Sequence, residues 1–157
     1  MPICLHPITE SEYPSWFSNH TQSYAADKIR AKQWSEKGAL EQAKNDTQRF
    51  LTAGVNTPNN YLCHIVDQDS GVRVGALWWC LSERFGRRVA FVFDIHIHQE
   101  YRRRGYATET LRHLEKRANV DNLDAISLHV FAFNKNAIQL YKKMGFATTS
   151  MSLTKEL

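Results

Sequence analysis

The stretch from Phe91 to Thr108, FVFDIHIHQEYRRRGYAT, limits the fold more than any other part of the chain. Phe91 to His98 mixes aromatic and β-branched residues without Gly or Pro, which predicts a strand. Gln99 and Glu100 follow, then three arginines, then Gly105 with small residues at Ala107 and Thr108. A strand that runs through a Gly-containing turn into a helix aims several unpaired N–H groups at one point. The positive end of the helix dipole lies behind them. A phosphate or pyrophosphate suits such a place, and flanking arginines add countercharge.

Around this stretch the apolar spacing predicts a mixed α/β sheet in one domain. Ile3 to Ile8 reads as a short strand, and Thr9 to Glu12 as a helix start with acids in the first turn. Glu12 to Arg30 predicts one or two helices. Trp34 to Leu51 predicts an amphipathic helix with a break at Gly38. Tyr61 to Val66, Val72 to Ser82 and Val89 to His98 are strands joined by the turns Asp67–Gly71 and Arg84–Arg87, hence an antiparallel meander. Gly105 to Val120 is a helix with Leu111, Leu114 and Ala118 in one stripe and Ala107 a turn earlier. Ile126 to Phe133 is a strand, Asn134 to Met144 a helix closed by Gly145, and Phe146 to Leu153 a last strand. Strand, helix, strand after the meander adds a βαβ unit.

A length of 157 residues fits a single domain. The net charge of +4 is too small to argue for nucleic acid, and it suits an anionic small ligand. No apolar run approaches membrane length, and the first ten residues lack the pattern of a signal peptide, so a cytoplasmic protein is expected. Cys4, Cys63 and Cys80 have no metal-ligand spacing and are expected to be free thiols.

Two segments together carry a resemblance. Arg102-Arg103-Arg104-Gly105-Tyr106-Ala107 resembles the Q/R-x-x-G-x-G/A loop of the GCN5-related N-acetyltransferases. Asn134-Lys135-Asn136-Ala137-Ile138-Gln139-Leu140-Tyr141-Lys142-Lys143-Met144-Gly145-Phe146 resembles the N-x-x-A-x-x-L-Y-x-x-x-G-F segment of the same superfamily. Either alone is weak; both in order, separated by a helix and a strand, are specific. The resemblance implies acetyl-CoA as donor, a primary amine as acceptor, and two central strands that splay to admit the thioester. In that reading the backbone of Arg103, Arg104, Gly105, Tyr106, Ala107 and Thr108 holds the pyrophosphate, with Arg102 at the motif position. The strand edge at Ile95 and Ile97 pairs with the pantetheine arm, and Asn134 contacts it near the thioester or caps its own helix. Ala107 replaces the second Gly of the commoner pattern.

The same resemblance makes Tyr141 the acid for the leaving thiolate. Two residues compete as base, Asp94 on the strand before the loop and His129 on the strand after it, with a water chain as the third alternative. Asp94, His96 and His98 alternate on one strand face, too extended to close one tetrahedral site, so no metal is expected. Glu83, Trp78 and Trp79 are candidates to line the acceptor cleft, one tryptophan being core by alternation. Absence of cysteine from both segments favours direct transfer in a ternary complex. Two rival readings stay open: a CoA-binding module without turnover, and a basic RNA-binding domain. Pairing of two copies through the last strand is open as well.

Overall fold

A computed structural model describes residues 2–157. It contains strands β1 (Ile3–Pro7), β2 (Asn60–Asp67), β3 (Arg73–Arg84), β4 (Arg87–Ile97) and β5 (Ala125–Leu128). The helices are α1 (Tyr13–Arg30), α2 (Ala39–Phe50), α3 (Tyr106–Val120) and α4 (Lys135–Lys143). The sheet order is β1-β2-β3-β4-β5; the first four strands are antiparallel, and β5 joins β4 in parallel across α3. This is the expected meander followed by a βαβ unit.

Alternation along β3 sorts the core into two layers. Leu77 and Trp79 pack with Ile65, Val92, Tyr106 and Leu114 on the α3 side. Ala76 and Trp78 face the other way, toward Trp16 of α1, Leu51 and Phe93. Leu111 and Leu114 are completely enclosed, so truncating Leu114 to Ala costs about 2–5 kcal/mol. Helices α1 and α2 meet through Ala25, Ala39 and Ala43, small residues that let two backbones approach closely. Gly38, at φ +76°, stands immediately before α2, so Trp34 lies outside the helix expected to include it. It packs instead edge-on against Tyr24.

Two sequence expectations fail at the C-terminal side. The strand expected over Ile126 to Phe133 pairs only over Ala125–Leu128, because β4 turns away beyond Val92 and leaves later residues without a partner. The last strand expected over Phe146 to Leu153 does not form. From Ala147 onward every residue is exposed, and no neighbouring strand supplies ladder bonds.

Candidate active site

The departure of β4 from β5 has a local cause. In the β3–β4 ladder Trp78 faces Asp94 while Trp79 faces Val92, so Phe93 is an extra residue, a β-bulge. The last β4–β5 pair is Val92 with Leu128. The bulge thus sits where the strands part, and it leaves the β5-side edge of β4 unpaired from Phe93 onward. Gly75 of β3 permits the close approach on the opposite edge; a Cβ there would collide with the carbonyl of His96.

At the end of β4 the chain passes through a short turn into α3. Gly105 has φ +88°, a left-handed conformation that costs Gly little, and Arg103 has φ +61°. These reversals turn the main chain so that the N–H groups from Arg103 to Thr108 donate to no other group among the described residues. The start of α3 is fixed from below. The Tyr106 hydroxyl, in the core, donates to Asp67 Oδ2 at 2.6 Å, while Asp67 Oδ1 accepts from the N–H groups of Asp69 and Ser70. That bond holds the Asp67 carboxyl below its usual range and pushes the Tyr106 phenol up.

The arginines do not converge on this turn. Arg102 Nε donates to the carbonyl of Ile97 at 2.8 Å, closing the end of β4. Arg104 lies 5.8 Å from the ring centre of Tyr101. Arg103 and Arg104 are exposed, and what they bring to the turn is backbone. Ile95 and Ile97 both pack against the α3-side core, and of the two only Ile95 lines the cavity described next.

Beside the parted strands lies a cavity of about 380 Å³ that brings together Asp94, His129, Asn134 and Tyr141. Trp78 lines it as well; Trp79 stacks on Tyr61 at 4.3 Å on the opposite face, and Glu83 is not in its wall. The Asn134 side chain accepts from the N–H of Ala137 at 3.4 Å, so it caps α4 while facing the cavity. Burial, with the nearby charge of Asp94, pushes the Tyr141 phenol up to about 12. Burial and the Lys28 ammonium push His129 below its ordinary value, favouring neutral imidazole.

The opposite wall comes from α1 and α2 and was not legible as a motif: His20, Tyr24 and Asp27 from α1, Asp46 and Phe50 from α2. His20 Nδ1 lies 3.4 Å from Asp94 Oδ2, joining α1 to β4; the imidazole is 9% exposed. Its ring stacks between Trp16 at 4.9 Å and Tyr24 at 6.1 Å, with the Trp78 ring edge-on at 5.3 Å. Trp16, His20 and Tyr24 recur every four residues, and that ring ladder was the one available signal. Asp27 is pushed up by burial and by the charge of Asp94, so two carboxyl groups repel each other across the cavity.

Comparison with known proteins gives the family and the fold. Residues 9–146 match the acetyltransferase (GNAT) family. The chain is 31% identical over 157 residues to the uncharacterized N-acetyltransferase YdgE of Bacillus subtilis (strain 168), covering 100% of this chain and 99% of that protein. Identity to YycN of the same strain is also 31%, over the full length of both. The crystal structure of YycN superposes with a TM-score of 0.92 and covers 99% of each chain. The BH1408 protein of Bacillus halodurans shares the fold at a TM-score of 0.72 with 16% identity. The left-handed turn before α3 with its free N–H groups, the parted strands and the match over most of the chain lead to one conclusion: this chain belongs to the acetyltransferase (GNAT) family, whose members use an acyl-CoA donor.

Proposed function

We propose that this chain moves an acetyl group from acetyl-CoA directly to a primary amine held in the cavity beside Asp94. The observation that carries this reading is the parting of β4 and β5 beyond the Val92–Leu128 pair. Beside it lies a cavity holding a protonated phenol and two base candidates, and the same strand runs on from Asp94 and Ile95 in its wall to the free N–H groups of Arg103 to Thr108. The main-chain donors and the helix dipole would grip the diphosphate, and the unpaired edge of β4 at Ile95 would take the amide-containing arm in strand fashion. Acetyl-CoA supplies an activated thioester and a leaving thiol.

The chain's own residues then manage two protons. An alkyl ammonium of pKa about 10.4 must lose a proton, at a cost of roughly 4–5 kcal/mol at pH 7. Asp94, oriented by the Nδ1–H of His20, or the neutral imidazole of His129 takes it. The amine nitrogen forms the new C–N bond as the C–S bond breaks. Tyr141, protonated at any working pH, donates to the departing sulfur. Asp27, Asp46 and Asp94 on the cavity wall outnumber Lys28 and Arg84, a small acidic excess that favours a cationic acceptor over an anionic one.

Direct transfer fits the cysteines. Cys4, Cys63 and Cys80 are free, as expected, though only half-buried, and none lines the cavity. Burial pushes the Cys63 thiol up to about 11, which keeps it a poor nucleophile. Among the described residues no helix is long and apolar enough to cross a membrane, and a cytoplasmic location is part of the proposal.

Thiol release from acetyl-CoA, measured against peptides with free N-termini, lysine peptides and polyamines, tests the reading. Release should depend on at least one amine class, and Tyr141→Phe should lower kcat by about 10²–10⁴-fold with donor affinity nearly unchanged. Binding of CoA with no amine-dependent thiol release in any class would make the chain a binding module instead.

A further inference from the structure

Most charged groups in the wall of the Asp94 cavity already have a partner. Asp94 faces His20, and Asp46 pairs with Arg49 at 3.5 Å. The Lys28 ammonium donates to Gln33 Oε1 at 2.9 Å and sits among the rings of Tyr24, Trp34 and Phe131. Two groups are left over. Among the described residues neither Asp27 nor Arg84 forms an ion pair, although both line the cavity. Arg84, at the end of β3, is exposed, and its guanidinium lies 3.7 Å from the centre of the Phe91 ring. A guanidinium stacked on a ring keeps its in-plane N–H donors free, and a carboxylate takes two of them at once.

The bulge in β4 sets the distance between this cation and the acids. Strict alternation would send Phe91 and Asp94 to opposite faces of the sheet. The extra residue at Phe93 cancels that. Phe91 meets Phe93 edge-on at 4.9 Å on the α1 side, where Asp94 also meets His20. Phe91 pairs with Cys80 and Asp94 with Trp78, so the two lie about 7–10 Å apart along the strand. The floor between them is aromatic. Phe93 stacks on Trp78 at 4.1 Å and packs against Phe50 at 5.0 Å, and Phe50 is still 52% exposed.

We infer that the acceptor carries a carboxylate as well as its amine, and that Arg84 binds this carboxylate. An apolar spacer then covers the aromatic floor, and the ammonium lies toward Asp94 and Asp27. The inference rests on the acyl-transfer proposal and names the class of its acceptor. An ω-aminocarboxylate and a short peptide with a free C-terminus share the required chemistry. A free α-amino acid does not span the floor, because its two groups are adjacent, and a polyamine lacks the anion.

Acid and amide forms of one acceptor provide the test. With aminohexanoate or with a free-acid tripeptide, kcat/KM should exceed that of the corresponding amide by about tenfold or more. The pair that shows the preference identifies the source. Aminopropanoate, too short to span the floor, should show none. Arg84→Gln should bring acid and amide within about twofold of each other, whereas Arg84→Lys, which keeps the charge and loses the fork, should retain part of the preference. Acids no better than amides in both pairs overturn the inference, as does a preference that survives in Arg84→Gln or is as large for aminopropanoate. Acyl transfer stands without it wherever thiol release still depends on an amine. If no amine releases thiol, the acyl-transfer reading has failed by itself, and calorimetry of the same acids and amides on the full chain decides this one. Tighter binding of the acid that is lost in Arg84→Gln upholds it, and equal binding overturns it.

Discussion

The two ends of the proposed site are built in opposite ways. The proposed donor end, from Asp94 and Ile95 in the cavity wall on to Thr108, is one continuous run of chain: strand, bulge edge, turn and helix start. The proposed acceptor wall is assembled from α1 and α2, whose contributions at His20, Asp27, Asp46 and Phe50 are separated from Asp94 by many tens of residues. A continuous run carries its function in local backbone geometry, with few side chains involved. An assembled wall carries it in side chains, and each of those can change without disturbing the turn.

The sharpest way to break the contrast is at the turn. Gly105→Glu puts a charged side chain where φ is +88° and where an anion would sit, and CoA affinity should fall on the order of 10³-fold as several charge-assisted bonds are lost. Gly105→Ala, which strains the backbone without adding charge, should cost far less, and calorimetry on both separates charge from strain. Equal affinity in Gly105→Glu and wild type would remove the phosphate assignment.

A smaller effect is expected where the two ends meet. Asp94→Asn should lower kcat about 100-fold and abolish the acidic limb of the pH profile, because the carboxylate oriented by His20 is gone. His129→Ala should leave that limb in place. If His129→Ala alone removes it, the imidazole is the base, and its limb in the wild type lies below about 6.5, since burial and Lys28 disfavour the charged ring.

The smallest effect belongs to the foot of the acceptor wall. Glu12, just before α1, accepts from the N–H and hydroxyl of Thr9 and pairs with His64 and Arg73; the Thr9 bonds first, then His64 and Arg73, hold its carboxyl down to about 2. A folded-state value depressed from an ordinary 4.5 gives stability that is present above pH 4.5 and lost as pH falls through 2. Glu12→Gln should melt a few degrees below wild type at neutral pH, and the gap should close between pH 4.5 and 2. A gap that persists at pH 2 would place its origin in something other than the carboxylate.

The same contrast explains what could be read in advance. The meander, the βαβ crossover and the turn at Gly105 depend on short-range patterns, and all were legible. Asp94, His129, Asn134 and Tyr141 flank those patterns, so their convergence on one cavity followed. His20 was missed because its one local signal, the ring ladder with Trp16 and Tyr24, carries no chemistry by itself; only the approach of α1 to β4 gives it a carboxylate. Arg102 shows the converse. Its motif position was legible, but its bond to the Ile97 carbonyl at the end of β4 depends on where the strand stops and was not. The last strand was over-read, since alternation at Thr148 to Leu153 predicts a strand only where an edge is within reach.

The bond from Tyr106 to Asp67 ties the start of α3 to the exposed turn between β2 and β3, on a part of the molecule that touches neither substrate. Residues 68–71 look like a harmless place for a tag or a longer loop. Any insertion there that drags Asp67 will also tilt the helix start, and a surface edit would then register as weaker coenzyme capture at a distance.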